Sequence, residues 1–476
     1  MKAQKKQLTI ISFLLLVLCL TGCRTSSVPL EQATVELQNE EDMETIQKQL
    51  DRFEGEEAYE LEFEKPHVEP KIYIDKNGYD IFDTKSAYFV GEELESEFSI
   101  YNEEDGSIVY RGKMIQVAKD PITEKSVYKG DFSEVKTPGV FYVQTAIIGR
   151  SYSFSIEREH DKAILKIISD QYLKQKPDEY FAKGNGNEMQ EPLYGMLQIC
   201  IAKQLCETSY DEKMTEKLSE YAKWLLEWIK EAEKESRHFS VEENFLLSTV
   251  FSQTAEALSE SNDQLSDSCQ VQAKICYDQA KLLSDSSDVY HTAEGMAAAS
   301  LYKTTGNAGY HNVIKAIHKE HRQRKQQESN ESNAGSDDSD KKQLSENTIQ
   351  KDVMCMEDVY QNFLAAYYYM TTEKSVDITI CEDMMSEFMN DCTGYLDHSA
   401  SAAFGLTREI TEEETIEMQI LYDATQLAVA DYIVVSREYR NVCRQQMHYL
   451  LHNRGIEELG AGKLAALWLI MSIISR

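Results

Sequence analysis

Two hydrophobic patterns divide this chain at about residue 158. Before that position, short runs of β-branched and aromatic residues alternate with polar residues at a period of two, as in strands with one buried face. After it, hydrophobic residues recur at steps of three and four, as on one face of an amphipathic helix. The patterns predict a β-rich module followed by a long helical region.

The β-rich module is predicted to occupy residues 70–158. Its strand runs are short, and turn-forming pairs such as Asn77-Gly78 and Asp105-Gly106 separate them. The last two runs, around Phe141 and Phe154, predict a hairpin that closes the module. About seven short strands at this spacing are typical of a β-sandwich.

The helical region, residues 159–476, is predicted to contain about eleven helices. One of them has apolar residues at helical spacing at Met214, Leu218, Tyr221, Leu225, Trp228 and Ile229. The others are predicted at 191–206, 241–258, 267–283, 289–304, 309–321, 353–370, 379–391, 412–435, 438–453 and 457–475. Paired helices in this number suit an (α/α)6 barrel, and an irregular bundle is the alternative.

Residues 321–350 interrupt the helical pattern. Their only large apolar residues are Leu344 and Ile349, so the segment cannot bury enough surface to order itself. It is predicted to be a disordered insertion that serves as a linker, with partner binding as the alternative.

The first 22 residues predict an export signal, because three lysines precede an apolar run over residues 10–20. The sequence Leu20-Thr21-Gly22-Cys23 resembles a bacterial lipobox, which implies cleavage before Cys23 and lipid attachment to it. An ordinary secretory signal or an uncleaved anchor is the alternative. Residues 23–69 are acidic and polar and predict a tether, so we expect a chain lipid-anchored to the bacterial cell membrane and facing outward.

The charge of the chain restricts its partners. The formal net charge is −33, and removal of the signal with its three lysines would make it −36. Phosphates would be repelled, so binding of nucleic acid or anionic lipid by charge is disfavoured. Neutral ligands such as glycans remain open, while the sequence gives no oligomeric state.

Several segments of the β-rich module resemble a known family. They are residues 73–79 (YIDKNGY), Lys85-Ser86-Ala87, Gly130-Asp131-Phe132-Ser133, Gly139-Val140-Phe141-Tyr142 and Ser153-Phe154-Ser155-Ile156. Together they resemble the immunoglobulin-like module that precedes the catalytic domain in many family 9 glycoside hydrolases (cellulases).

The helical region carries fainter similarities to the same family. They are residues 221–228 (YAKWLLEW), 293–310 (AEGMAAASLYKTTGNAGY) and 449–453 (YLLHN). The resemblance implies an immunoglobulin-like β-sandwich followed by an (α/α)6-barrel-like helical domain.

Catalysis in that family needs two carboxylates that the chain does not supply in the expected motifs. The resemblance implies a base from an Asp-Ala-Gly-Asp motif and an acid from an Asn-Glu motif, and neither motif is present. Substitute candidates are Glu188 and Glu191, with Glu457 and Glu458 near the C-terminus. The alternative is that these are solvated acids at helix starts, where they favour the helix dipole.

Other chemistry has little support in the sequence. The eight cysteines after Cys23 have no Cys-x-x-Cys spacing, so we expect mostly free thiols, no zinc site and no cofactor. His291, His311, His318 and His321 lie in one helical region without an evident carboxylate pattern and are expected to be surface or core residues.

Three hypotheses follow. The first is a degenerate family member that has lost catalysis and binds polysaccharide or oligosaccharide, or acts as a scaffold. The second is an active, endoglucanase-like glycoside hydrolase that cleaves β-glucan with relocated carboxylates. The third is an envelope lipoprotein that binds proteins and no sugar. The enzyme hypothesis requires two carboxylates facing each other across an open cleft at the mouth of the barrel.

Overall fold

The structure is a computed structural model that describes residues 71–181, 189–206, 209–284, 290–334, 356–409, 416–452 and 455–475. The predicted signal and tether, with Cys23, lie outside the described residues, as does Glu188. No helix within the described ranges is both long and apolar enough to cross a membrane.

Eight strands form the first domain. They are β1 (Ile72–Tyr73), β2 (Tyr79–Asp80), β3 (Ser86–Val90), β4 (Glu97–Asn102), β5 (Ile108–Lys119), β6 (Ser126–Asp131), β7 (Gly139–Thr145) and β8 (Gly149–Glu157). Their hydrogen-bonded order is β1-β3-β6-β5-β4-β7-β8-β2. The first half of β5 pairs with β4 and its second half with β6, so the strand passes from one sheet to the other and the order folds into a sandwich.

The predicted closing hairpin is confirmed. β7 and β8 pair antiparallel with Gly139 opposite Ile156, and Phe141, Val143, Phe154 and Ile156 point into the sandwich core. Outside β7, Ile147 does not continue the alternation, because it lies in the turn and is exposed.

Two short β-favouring runs of the sequence, Val109-Tyr110 and residues 115–117, belong to one strand in the structure, β5. Gly112 interrupts the β-favouring pattern between them, and the fold requires it. The Phe98 ring packs over this position, where a Cβ atom would lie 2.5 Å from the ring.

Thirteen helices follow within the described residues. They are α1 (His160–Lys174), α2 (Pro177–Phe181), α3 (Gln190–Leu205), α4 (Glu212–Lys234), α5 (Val241–Leu258), α6 (Asp263–Leu283), α7 (His291–Thr305), α8 (Ala308–Ala334), α9 (Met356–Met370), α10 (Ile378–Ser401), α11 (Ile416–Val434), α12 (Arg437–Leu450) and α13 (Ala461–Ile474). Single 3-10 turns lie at Ala403–Gly405 and Ile456–Glu458.

Apart from the five-residue α2, these helices form two concentric rings. The inner ring is α3, α5, α7, α9, α11 and α13, each in contact with the next, and α13 closes the ring against α3. The inner α13 has thirteen of its fourteen residues buried, whereas the outer α4 buries one face. The helical domain is therefore the expected (α/α)6-type barrel, and α13 is the buried closing helix.

The alternation of outer and inner helices gives the barrel two distinct ends. All inner helices begin at one end, here called the front end, which carries the connections from outer to inner helices. They finish at the other end, the back end, where the connections are short, as at residues 259–262 and 306–307.

Helix α1 is absent from the predicted set, and it belongs to the outer ring. Its buried residues Ile164, Ile168 and Tyr172 do follow a four-residue spacing. They pack on the closing helix α13, the last helix of the chain, so the contact is not visible locally.

The predicted disordered insertion at residues 321–350 is wrong over residues 321–334, which continue α8; the rest lies outside the described residues. Although α8 has few apolar residues here, its charges face acids on α10. His321 lies 3.2 Å and Lys325 lies 2.5 Å from Glu387. These contacts stabilise a segment whose composition alone favours disorder.

Cys200, Cys206, Cys269, Cys276, Cys381, Cys392 and Cys443 are free thiols, as predicted, and Cys355 lies outside the described residues.

Charged and aromatic contacts join the two domains. Arg444 on α12 contacts Asp83 of the sandwich and lies 2.5 Å from Asp161 on α1. His448, one turn further along α12, lies 2.8 Å from the buried Asp75. The Tyr88 ring packs on Phe404 of the barrel. The sandwich is therefore fixed to the side of the barrel by its outer helix α12.

Candidate functional site

The structure places two of the predicted acids in one part of the front end. Glu191 lies in the first turn of α3 and packs against the start of α13. A Cβ atom on Gly460 would lie 2.8 Å from Glu191 Oε1, and Gly460 follows Glu458 by two residues. Residues distant in the sequence thus meet where the first and last inner helices adjoin.

Glu458 has a structural role in this part of the barrel. Its Oε1 accepts a hydrogen bond of 2.9 Å from the Gly455 amide and so caps the 3-10 turn Ile456–Glu458. Its neighbour Glu457 is exposed. Glu191 lies in a helix start, where a carboxylate stabilises the dipole.

A cluster of three tyrosines, Tyr194, Tyr360 and Tyr422, closes the barrel axis behind the front end. They belong to α3, α9 and α11. The rings of Tyr360 and Tyr422 stack at 4.1 Å, and Tyr194 lies 5.6 Å from Tyr360 and 5.3 Å from Tyr422. Since α3 and α9 face each other across the ring, the contact between Tyr194 and Tyr360 crosses the axis.

Buried amides hold the tyrosine cluster in place. Gln198 donates to the Tyr360 hydroxyl at 3.3 Å, and Gln361 donates to the Tyr194 hydroxyl at 3.0 Å. Tyr194 and Tyr360 have no exposed surface, and burial raises the pKa of Tyr360. The Tyr360 phenol is therefore neutral, and both rings are buried packing groups.

Asp423, a buried carboxylate on α11, is not among the site residues predicted from the sequence. Burial raises its pKa, while the Arg408 guanidinium and the Thr407 hydroxyl lower it. Arg408 Nε lies 2.6 Å and Thr407 Oγ1 2.8 Å from Asp423 Oδ2. The carboxylate is committed to anchoring the connection between α10 and α11, so it is not available to a ligand.

A second feature missed from sequence is a cleft of about 640 Å³ at the back end. The last turns of α3, α5, α7 and α9 form it, with Gln204, Glu256, Lys303 and Tyr367 among its lining residues. Lys303 is almost fully enclosed, and burial lowers its pKa. A single lysine at the end of the alanine-rich run of α7 was the available sequence signal.

The histidines of the α7–α8 region acquire partners that the sequence did not indicate. His318 and His321 face Asp383 and Glu387 of α10, and His311 lies 2.9 Å from the Tyr369 hydroxyl. Within the described part of the chain, no three His, Cys, Asp or Glu residues are grouped so as to hold a metal ion.

The chain is similar to known proteins in sequence over the first domain and in structure over most of its length. Residues 67–150 match the family model of the cellulase N-terminal ig-like domain. Among curated proteins, none matches this chain in sequence.

Three solved structures illustrate the similarity of fold. A metagenome-derived glycoside hydrolase family 9 endoglucanase has a TM-score of 0.60 at 14% identity, covering 80% of this chain and 83% of its own. A Bacteroides ovatus GH9 protein has a TM-score of 0.57 at 11% identity, covering 85% and 98%. AaCel9A in complex with cellobiose-like isofagomine has a TM-score of 0.57 at 12% identity, covering 80% and 82%. At this identity they share the fold, an immunoglobulin-like domain with a helical barrel.

Proposed function

We propose that this glycoside hydrolase-like chain is an exported bacterial lipoprotein that binds a polysaccharide or oligosaccharide without hydrolysing it. The observation that carries the proposal is the closed barrel axis. The tyrosine cluster fills the space directly behind the front end, beside the acids that the enzyme hypothesis would need.

The arrangement of the acids argues against hydrolysis. A glycosidase needs two carboxyl groups about 5 to 10 Å apart across the sugar, one of them with a raised pKa. Glu458 caps a turn, Glu191 packs against backbone, and Asp423 is held by Arg408. The usual acid and base motifs are also missing from the sequence.

A neutral glycan is the ligand class that the other observations favour. The chain carries a net charge of −33, which disfavours anionic ligands. Two of the structural neighbours are an endoglucanase and a protein in complex with cellobiose-like isofagomine. A protein that has lost catalysis can still bind the class of ligand that related folds bind, although particular residues must provide the binding.

The N-terminal sequence supports the proposed lipid anchor. The apolar run and Cys23 suit export and lipid attachment, which would place the barrel outside the cell at the end of an acidic tether. Labelling with a fatty-acid analogue should mark the wild-type chain and leave Cys23→Ala unmarked. Labelling of the alanine variant would contradict the anchor.

The function is tested with the full chain in detergent and soluble β-glucan. We expect the protein to be retarded in gels that contain the glucan and to release no reducing sugar over many hours. Glu191→Gln and Glu458→Gln should not alter retardation. If the protein releases reducing sugar and either substitution abolishes this release, the protein is a hydrolase. If no glucan retards the protein, glycan binding is overturned.

A further inference from the structure

The back-end cleft lies at the opposite end of the barrel from the predicted acids. Four successive inner helices end around it, and the start of α6 and the connection after α9 complete its walls. Its volume, about 640 Å³, is within the usual range of about 300 to 1,000 Å³ for small-molecule sites.

Lys303 on α7 is an incompletely bonded charge in the wall of this cleft. Its side chain is only 4% exposed, and an ammonium group has three N–H donors. Its nearest acceptor in the described structure is Glu256 Oε2 at 3.3 Å, longer than the 2.7–2.9 Å usual for a charge-assisted bond. Tyr367 and Tyr368 offer only ring faces, 5.8 and 6.0 Å away.

Lys303 is enclosed, and Glu256 Oε2 is a buried atom without a hydrogen-bond partner in the described structure, although the rest of the Glu256 side chain is partly exposed. Buried polar groups of this kind need further hydrogen-bond partners. The Tyr367 hydroxyl donates its one proton to Gln204 Oε1 at 2.9 Å, so it cannot also donate to Glu256. The pair therefore offers spare donors on Lys303 and spare acceptor capacity on Glu256 toward the cleft.

The charges around the cleft select the class of ligand. The lining carries charges of both signs, three carboxylates (Glu256, Asp267 and Glu373) and two lysines (Lys303 and Lys374), so a ligand of one charge sign would be attracted by one set and repelled by the other. A hydroxyl group donates to a carboxylate and accepts from an ammonium group or an amide. A neutral polyhydroxylated molecule can therefore form hydrogen bonds with both the carboxylates and the lysines of the cleft.

We infer that the back-end cleft binds a short stretch or an end of a neutral β-glucan, with sugar hydroxyls bonded to Lys303 and Glu256. The inference rests on the proposed function, which requires a glycan site, and assigns that site to the end of the barrel away from the predicted acids.

Calorimetric titration of the full chain in detergent with cellotetraose tests this assignment. We expect Lys303→Met and Glu256→Gln each to weaken binding about ten- to hundredfold, because each removes hydrogen bonds to a charged group. The matched control is a lysine–glutamate pair at the front end, Lys463 and Glu417, which lie 2.5 Å apart. Lys463→Met and Glu417→Gln should leave the affinity unchanged.

Hydrogen exchange of the wild-type chain removes any dependence on how the variants fold. Bound cellotetraose should slow exchange at the ends of α5 and α7 and leave the front end unaffected. Binding that persists in both cleft variants, with protection at the front end, would overturn the cleft assignment and leave the proposed function standing. Failure of the wild-type chain to bind any glucan would overturn both.

Discussion

A single guanidinium, that of Arg444, joins three parts of the protein. It contacts Asp83 in the sandwich and Asp161 on α1 from its own position on α12. The side chains of Asp83 and Asp161 are only 4% and 17% exposed, so each depends on Arg444 to offset its loss of hydration. The two carboxylates and Asp75 lie at the boundary of the domains.

Replacing Arg444 with Met should destabilise the protein by about 3 to 5 kcal/mol, because it removes the guanidinium that bonds to two enclosed carboxylates. Urea unfolding followed by circular dichroism measures the change. Arg150→Met is the control, since Arg150 pairs with Glu103 on the exposed surface of the sandwich. This variant should change stability little, because water already screens the pair. Equal losses in the two variants would contradict the assigned role of Arg444.

At the scale of elements, sequence periodicity identified the inner helices well. α5 was predicted at 241–258 and is Val241–Leu258. Its apolar residues recur at helical spacing, and the polar capping residue Ser240 indicates where the helix begins. The connections and charged segments were harder. The end of α8 is helical because of charges on α10, and α1 because of packing on α13; neither cause is local in sequence.

The meeting of α3 and α13 depends on Gly462. A Cβ atom there would lie 2.6 Å from the Glu191 carbonyl oxygen, a backbone atom that cannot turn away. Gly462→Ala should therefore destabilise the barrel by about 1 to 3 kcal/mol, despite the higher helix propensity of alanine.

Gly394 provides the matched comparison for this prediction. It lies inside α10, and no atom is within 4 Å of its Cβ position. Gly394→Ala should stabilise the protein by about 0.5 to 1 kcal/mol. Thermal unfolding should show a lower melting temperature for Gly462→Ala and a higher one for Gly394→Ala. A stabilised Gly462→Ala would show that α3 and α13 do not approach this closely.

At the scale of the whole molecule, the sandwich and the barrel have separate cores that share a boundary. Phe89 and Phe98 belong to the sandwich core, whereas Tyr88, Val90 and Val127 belong to the core of the barrel. One sheet of the sandwich thus has its second face buried by the barrel.

Because of this shared boundary, we expect the two domains to unfold together. All three tryptophans lie beyond residue 158, so their fluorescence reports on the barrel alone. Amide exchange in β3 and β6 reports on the sandwich. The two signals should change at one urea concentration in the wild-type chain. Separate transitions would show that the domains are independent.

The candidate sites could be predicted from the sequence only in part. Glu191 and Glu458 were identifiable as acids at helix starts, and the structure brings them to one region. The tyrosine cluster and the Lys303–Glu256 pair were not identifiable, because each combines residues from different inner helices. Only the order of helices around the ring shows which of them meet.

The short strand β1 is the first part of the folded domains to bear tension from the N-terminal side of the chain. Tension applied to the chain ahead of Lys71 first reaches Ile72 and Tyr73, whose pairing with β3 spans two residues. Asp75 follows at once, bound to His448 on the barrel. A pull from the N-terminal side is therefore divided between the sandwich and the barrel at Asp75, and the bonds of Asp75 are the first contacts of the domain boundary to bear the tension.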